Sequence, residues 1–317
     1  MEASETQTNN SLLALAQGLV AAVERVSPSI VAIDARPRVR TSGVVWRPGI
    51  VVATNHTIRR DEEITVTLND GRSLPAALVG RDAGTDLAAL RVESGDVAAE
   101  QESAQISDAA ELKVGQLVLA VGRTDLERGV SASFGIISLL GDKWRTWRGG
   151  EIDRLIRLDL AIHLGFSGGA LIDAEGRVIG INTSALARGA GLTIPASTVN
   201  RVVDALLTRG RIARPYLGVG RMHPVALPES LRSKLSLTTS SGLIMLSIEP
   251  DGPADKAGLT LGDVLIALDD TPTSDMDVVQ MALGGREVGQ AVKAKIVRGG
   301  EVTELTITLG ERPTRGR

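Results

Sequence analysis

The chain contains no cysteine, which excludes disulfides, thiolate metal sites and cysteine nucleophiles. Histidine is nearly as scarce: His56, His163 and His223 are the only three, too few and too scattered for a histidine-rich metal centre. Two Phe, one Tyr and three Trp are all the aromatic residues in 317 positions, so Val, Ile, Leu and Ala must fill the cores. No charge of one sign dominates. Lys and Arg number 35 against 38 Asp and Glu, a formal net charge of −3, which leaves no basic field to hold nucleic acid or anionic lipid. No apolar run spans a bilayer either. The most apolar segment, Ser11 to Val26, is interrupted by Gln17 and Glu24. Met1 to Asn10 carries no Lys or Arg, so no export signal is legible. The expectation is a soluble chain without cofactor or metal, cytoplasmic if Met1 is the native start and periplasmic or membrane-tethered if a signal has been removed.

What is present is a series of short β-type runs between turn residues. Leu12, Leu13, Leu15, Leu19, Ala22 and Val23 first mark one face of a short packed helix. "SIVAIDA", "TSGVVWR", "GIVVATN", "EITVTLND" and "DLAALRVE" follow, then a polar interval from Ser94 to Glu111. A second set reads "QLVLAVGR", "GVSASFGIISLLG", "DRLIRLDL", "GALID", "RVIGINT" and "GLTIPA". Two groups of about six strands imply two packed β-barrels or sandwiches. "ASTVNRVVDALLTRG" reads as an amphipathic helix with Ser197 at its N-cap and Gly210 past its end. A linker ends near Pro215. The remainder is a smaller α+β unit with a strand in "SGLIMLSIEP", a short helix from Pro253 to Gly258, a strand in "DVLIALDD", a helix capped near Ser274 and a hairpin turning at Gly299-Gly300.

One motif raises a chemical question. In "HLGFSGGALID", Ser167 sits among glycines after an apolar run, which fits a nucleophile in a sharp turn and fits an ordinary glycine-rich hairpin equally well. A serine hydroxyl attacks an amide only with an imidazole as general base, and the imidazole needs a carboxylate to fix its tautomer. His56 leaves the apolar strand "IVVATN", and Asp86 stands directly before the strand "LAALRV". Singly each is an ordinary loop residue. Together, in two-barrel context, they form a His, Asp, Ser set. His163, four positions before the serine, reads as pocket wall rather than as a second base, and His223 as a surface loop residue.

Seven segments in order make the chain resemble the HtrA-type serine proteases, trypsin-like enzymes with C-terminal PDZ domains. They are "AVERVSPSIVAI", "VVATNHTI", "TDLAALRV", "KVGQLVLAVG", "LDLAIHLGFSGGALIDAEGRVIGINT", "TIPAS" and "RPYLGV". The resemblance implies a mainly β fold, a chymotrypsin-like double β-barrel followed by a small α+β PDZ domain. Its divisions are an N-terminal helical segment (1–27), a protease domain (28–210), a linker (211–215), a PDZ domain (216–311) and a tail (312–317). It implies His56 as general base, Asp86 as orienting acid, Ser167 as nucleophile, and the N–H groups of Gly165 and Ser167 as an oxyanion hole. It also implies a substrate pocket with Ala161 at its base beside Ile162 and a far wall of Thr183, Leu192 and Thr193. With no carboxylate there, such a pocket takes Val, Ala or Leu.

In the PDZ unit the resemblance places a carboxylate-binding loop at Tyr216, Leu217, Gly218 and Val219. A peptide-accepting strand is expected from Gly242 to Ser247, and a facing wall on the helix through Met276, Val279 or Leu283. The implied partners are unfolded polypeptides and peptide C-termini, and the implied assembly is a homotrimer. The segments that would hold a trimer, residues 10–26 and the loop "TDLERGVSAS", contain no aromatic. The family's usual polar turn before the serine is His163-Leu164-Gly165-Phe166 here. That change leaves open an alternative, a catalytically silent peptide-binding or chaperone-like scaffold, and a purely structural β protein is a third reading.

Overall fold

The computed structural model describes residues 2–93, 102–107, 111–124, 129–146, 148–187, 191–212, 215–284 and 286–311. These residues fall into two compact units divided between Ile212 and Ala213.

The first unit opens with helix α1 (Glu2–Val26), 25 residues long rather than short. Its last turns pack: Ala22 and Val26 are buried and Leu19 and Val23 lie against the core, whereas Leu12, Leu13 and Leu15 are exposed. The leucine-rich stripe expected to be a packed face is thus split, because the protein surface it could cover ends near residue 19.

Strands β1 (Ile30–Asp34), β2 (Thr41–Arg47), β3 (Ile50–Thr54), β4 (Ile64–Thr67), β5 (Ser73–Asp82) and β6 (Leu87–Val92) close a barrel in the order β1-β2-β3-β6-β5-β4. A second series comprises β7 (Leu117–Gly122), β8 (Ser131–Gly141), the small ribbon β9 (Trp144–Arg145) and β10 (Glu151–Ile152), β11 (Leu155–Asp159), β12 (Ala170–Ile172), β13 (Val178–Thr183) and β14 (Leu192–Pro195). It closes a second barrel, β11-β14-β13-β12-β7-β8. Closure leaves no unpaired strand edge in either barrel. The fillings are aliphatic, as the scarcity of aromatics requires. Val31, Ile33, Val51, Ile64 and Leu90 fill the first barrel, and Val118, Ile137, Ile156, Leu171 and Ile179 the second. Full burial of each such side chain is worth about 1.5–3 kcal/mol.

Two elements tie the barrels together. Residues 102–107 run extended between them: Ala104 N–H donates to the β2 carbonyl of Val45, and Ser107 N–H to the β13 carbonyl of Val178. Helix α2 (Ala196–Arg209) buries Val199, Val202, Val203 and Leu206 in the core shared by both barrels, and its Asn200 accepts the Trp46 indole N–H at 2.7 Å. Pro195, not Ser197, is its N-cap residue, since the helix begins directly where β14 stops. Gly210 ends it in the left-handed region and donates to the Leu206 carbonyl.

In the second unit, β15 (Pro215–Tyr216) pairs with the terminal β22 (Gly310–Glu311). The main sheet is β16 (Val219–Ala226), β17 (Ser241–Ile248), β18 (Val264–Leu268), β20 (Ala291–Arg298) and β21 (Glu301–Thr308), in that order, with β19 (Thr271–Pro272) on β18. Helices α3 (Glu229–Leu235), α4 (Pro253–Lys256) and α5 (Met276–Leu283) complete it. Asp275 caps α5 by accepting the Val278 N–H at 2.9 Å. The β20–β21 hairpin turns at Gly299-Gly300, as expected.

Three expectations for this unit change. Strand β17, which contains Gly242 to Ser247, is interior, with β16 on one side and β18 on the other. A strand paired on both edges has no free N–H or C=O groups to offer a peptide. The edge strand next to Tyr216–Val219 is β16. Val279 and Leu283 are core residues of the unit, so of the three helix candidates only Met276 is exposed. His223 lies on β16, exposed and opposite Ile244, rather than in a loop.

Among the described residues no helix is long and apolar enough to cross a membrane, and no group of three or more His, Asp or Glu is placed to hold a metal ion. The residues Asp125 to Arg128 of the "TDLERGVSAS" loop, and the tail 312–317, lie outside the described residues.

Candidate active site

The first barrel brings His56 and Asp86 together from neighbouring strand ends. β3 ends at Thr54 and the chain turns once through Asn55–Thr57, which carries His56 to the mouth of the barrel. β5 and β6, the partner of β3, are joined by "DAGTD". Asp82 shapes that loop, its carboxylate accepting the N–H groups of Gly84 and Thr85 and the Thr85 hydroxyl. The loop delivers Asp86 fully buried, at φ 61°. A non-glycine residue held in the left-handed region is a strained placement, and such placements cluster at functional sites.

The Asp86 carboxylate takes three contacts. Oδ1 accepts the His56 backbone N–H at 2.9 Å, and Oδ2 meets His56 Nδ1 at 2.8 Å and accepts the Thr183 hydroxyl at 2.7 Å. A carboxylate only accepts, so Nδ1 carries the imidazole proton and Nε2 keeps its lone pair. Thr183, expected on the pocket wall, is thus fully buried with its hydroxyl on the acid.

The second barrel supplies the serine. His163 to Phe166 is a turn closed by Phe166 N–H donating to the His163 carbonyl at 3.0 Å, with Gly165 at φ 91° in the third position, the type II arrangement. Only glycine fits there, because a Cβ would also strike the Thr124 methyl. The Gly165 carbonyl is held by Ser42 from β2, through its N–H at 3.0 Å and its hydroxyl at 2.7 Å. Ser167 is followed by Gly168, also at φ 91°, where a Cβ would run into the Ser42 carbonyl. The Thr41 hydroxyl donates to the Ser167 carbonyl at 2.7 Å, and Gly168 N–H donates to the Asn182 carbonyl of β13. Both barrels therefore fix the turn. Among the described residues, the N–H groups of Gly165 and Ser167 donate to no protein acceptor.

Phe166, the side chain that departs from the family pattern, points inward. It is 3% exposed in the second barrel's core, and its ring meets His163 edge-on, with centroids 5.3 Å apart. The His163 ring therefore packs on Phe166, and among the described residues it forms no hydrogen bond with the His56–Asp86 pair.

Of the remaining pocket candidates, Leu192 pairs with Thr183 across β14 and β13 and is buried, and Thr193 donates its hydroxyl to Asn182 at 2.9 Å. Ile162 lies beside Gly191, and Ala161 is exposed where the chain enters the turn. In the second unit Tyr216 and Leu217 are buried, and Gly218, at φ 85°, packs its backbone against Pro253 with its carbonyl accepting Glu249 N–H. Val219 begins β16.

Three residues escaped the sequence reading: Thr41, Ser42 and Ser184. The first two are buried polar residues in an apolar strand, the kind of polar burial that requires a partner. Ser184 follows β13 and meets Ser167 directly. The two hydroxyls are 3.1 Å apart, and Ser184 N–H donates to Ser167 Oγ at 3.3 Å. Ser167 and His56 form no hydrogen bond with one another here.

Residues 41–181 match the family model of a trypsin-like peptidase domain, and residues 215–309 that of a PDZ domain. A probable periplasmic serine endoprotease, DegP-like, of Halomonas elongata is 33% identical over 276 residues, covering 85% of this chain and 56% of that protein. A serine protease Do-like HtrA of Lactobacillus helveticus is 32% identical over 283 residues, covering 84% of this chain and 68% of that one. The chain thus spans between about half and two thirds of the length of these relatives. Among solved structures, the HtrA-type protease AlgW with a decapeptide superposes with a TM-score of 0.70 at 28% identity, covering 93% of this chain and 99% of that one. The serine endoprotease of Yersinia pestis gives 0.70 at 27% identity, covering 93% and 98%.

Proposed function

Because the chain belongs to the HtrA family of serine proteases, we propose that it is a serine endopeptidase acting on unfolded or misfolded polypeptide in protein quality control. The observation that carries the reading is that adjacent Thr183 and Ser184 bond to Asp86 and to Ser167, which brings the His56–Asp86 pair to a serine turn held by both barrels. In this reading His56 Nε2 takes the Ser167 proton as Oγ attacks the scissile carbonyl, and Asp86 stabilises the imidazolium that forms. The N–H groups of Gly165 and Ser167 receive the developing oxyanion, each worth about 10²–10³ in rate. The imidazolium then protonates the leaving amine, and water, activated by the same Nε2, hydrolyses the acyl-enzyme. The side chains complete each step without a cofactor.

The test is labelling with a fluorophosphonate, which modifies only an activated serine. The wild type is expected to label and Ser167→Ala not to. No labelling of the wild type, with or without an added peptide, would remove the endopeptidase reading and favour the silent scaffold.

For specificity, Ala161 and Ile162 leave the pocket without a carboxylate, which supports cleavage after Val, Ala or Leu. Discrimination among these is shallow, since one methylene is worth about 1–3 kcal/mol. For regulation, the Tyr216–Val219 loop lies at the start of the edge strand β16, where a peptide ending in a free carboxylate can add as a further strand. Met276 is the exposed apolar contact on α5. One digestion checks both. Unfolded casein is cut with and without such a peptide, and the products are sequenced. A majority of cuts after Lys or Arg would sink the pocket assignment, and an unchanged rate with peptide would sink regulation through the second unit. The family's trimer stays part of the proposal, with the exposed Leu12, Leu13 and Leu15 as the apolar surface able to serve it.

A further inference from the structure

We infer that Ser184 is a positioning residue that holds the Ser167 hydroxyl off His56 until a substrate arrives, an inference that rests on the endopeptidase reading. Thr183 and Ser184 are adjacent, and their hydroxyls go to different members of the site: Thr183 to Asp86 at 2.7 Å, Ser184 to Ser167 at 3.1 Å. The end of β13 therefore grips the acid and the nucleophile at once. The two grips differ in consequence. Thr183 is fully buried and its bond holds the Asp86 carboxylate in place, whereas Ser184 is exposed and its bond competes with the base.

The competition follows from counting. A serine hydroxyl has one proton and two lone pairs. Ser184 N–H already occupies one lone pair of Ser167 Oγ at 3.3 Å. If the Ser167 proton points to Ser184 Oγ, it points away from His56 Nε2, which must receive it. If Ser184 donates instead, both lone pairs of the nucleophile are engaged, and neither is left to attack a carbonyl. In both arrangements the contact between the two hydroxyls has to open before reaction. Opening is cheap, because Ser184 is exposed and water or a bound peptide takes up its hydroxyl. The result is a mild brake on the unliganded site, of the size of one neutral hydrogen bond.

The experiment compares the full-length wild type with Ser184→Ala and Ser184→Thr, measuring the second-order rate of fluorophosphonate labelling and the unfolding midpoint. Removing the hydroxyl is expected to raise the labelling rate about three- to tenfold with an unchanged midpoint, and threonine, which keeps a hydroxyl, to bring the rate back toward the wild type. A Ser184→Ala that labels without peptide, beside a wild type that labels only once peptide is added, supports the inference as well. If the wild type labels and Ser184→Ala labels equally fast or more slowly, the brake is overturned while the endopeptidase reading stands. If neither labels, both fall. Threonine leaving the rate as high as alanine does would show that side-chain size, not the hydroxyl, is responsible, and would also overturn the inference.

Discussion

Replacing Asp86 by asparagine is expected to lower kcat by about 10⁴, the loss known for this change in the chymotrypsin-type template, while leaving the fold intact. The argument lies in which oxygen the amide nitrogen replaces. Oδ1 faces the backbone N–H of His56, which can only donate, so a nitrogen there would oppose a donor to a donor. Oδ2 faces His56 Nδ1 and the Thr183 hydroxyl, and both of these can switch to accepting. The nitrogen therefore takes the Oδ2 position and donates to Nδ1. The imidazole proton moves to Nε2, and the base has no lone pair for Ser167. Every buried group keeps a partner, so the unfolding midpoint should change little. Steady-state hydrolysis of an unfolded substrate checks the rate and thermal unfolding checks the fold. An activity within tenfold of the wild type would mean that Asp86 does not set the tautomer.

The contrast between Asp86 and Ser184 shows what was legible in the sequence. His56, Asp86 and Ser167 each sit at a strand end between an apolar run and a turn, so pattern and chemistry both point to them. The two six-stranded barrels were legible for the same reason, since β-branched runs alternate with turn residues at short intervals. Strand order was not. Nothing in "SGLIMLS" says that two strands flank it, because an interior strand and a half-covered edge strand share the same apolar content. The length of α1 was hidden as well. Its first residues are polar and periodic patterning fails there, yet the helix continues through them. Ser42 and Thr41 were invisible because a hydroxyl's role depends on what lies across the barrel interface, some 80 to 130 residues away in the chain, and Ser184 because its partner is set by how the end of β13 lies against the Ser167 turn. Polar groups whose partners are distant carry no local signature.

Phe166 is the residue where sequence and structure together give the least obvious prediction. By resemblance a polar side chain belongs there, and its replacement by phenylalanine leaves the silent-scaffold alternative open. The structure puts the ring in the buried cluster that also holds Val118, Ile137, Leu158 and Leu171, with its backbone between the Phe166 N–H bond to His163 and the Gly169 N–H bond to its own carbonyl. The side chain thus acts as a peg that fixes the His163–Phe166 turn from beneath by burial, where a polar residue would need a bonded partner. Phe166→Ala is expected to cost about 3–5 kcal/mol of stability from the lost area and the cavity left behind. It should also lower the labelling rate of Ser167 by about 10²–10³, because Gly165 N–H would no longer be held where the oxyanion forms. Phe166→Leu, which still fills most of the space, should cost well under the alanine change and keep most of the labelling. Denaturant unfolding and labelling, both at a temperature where each variant is fully folded, separate the two effects. Alanine labelling as fast as the wild type would show that the Ser42 bonds to the Gly165 carbonyl hold the turn without the peg.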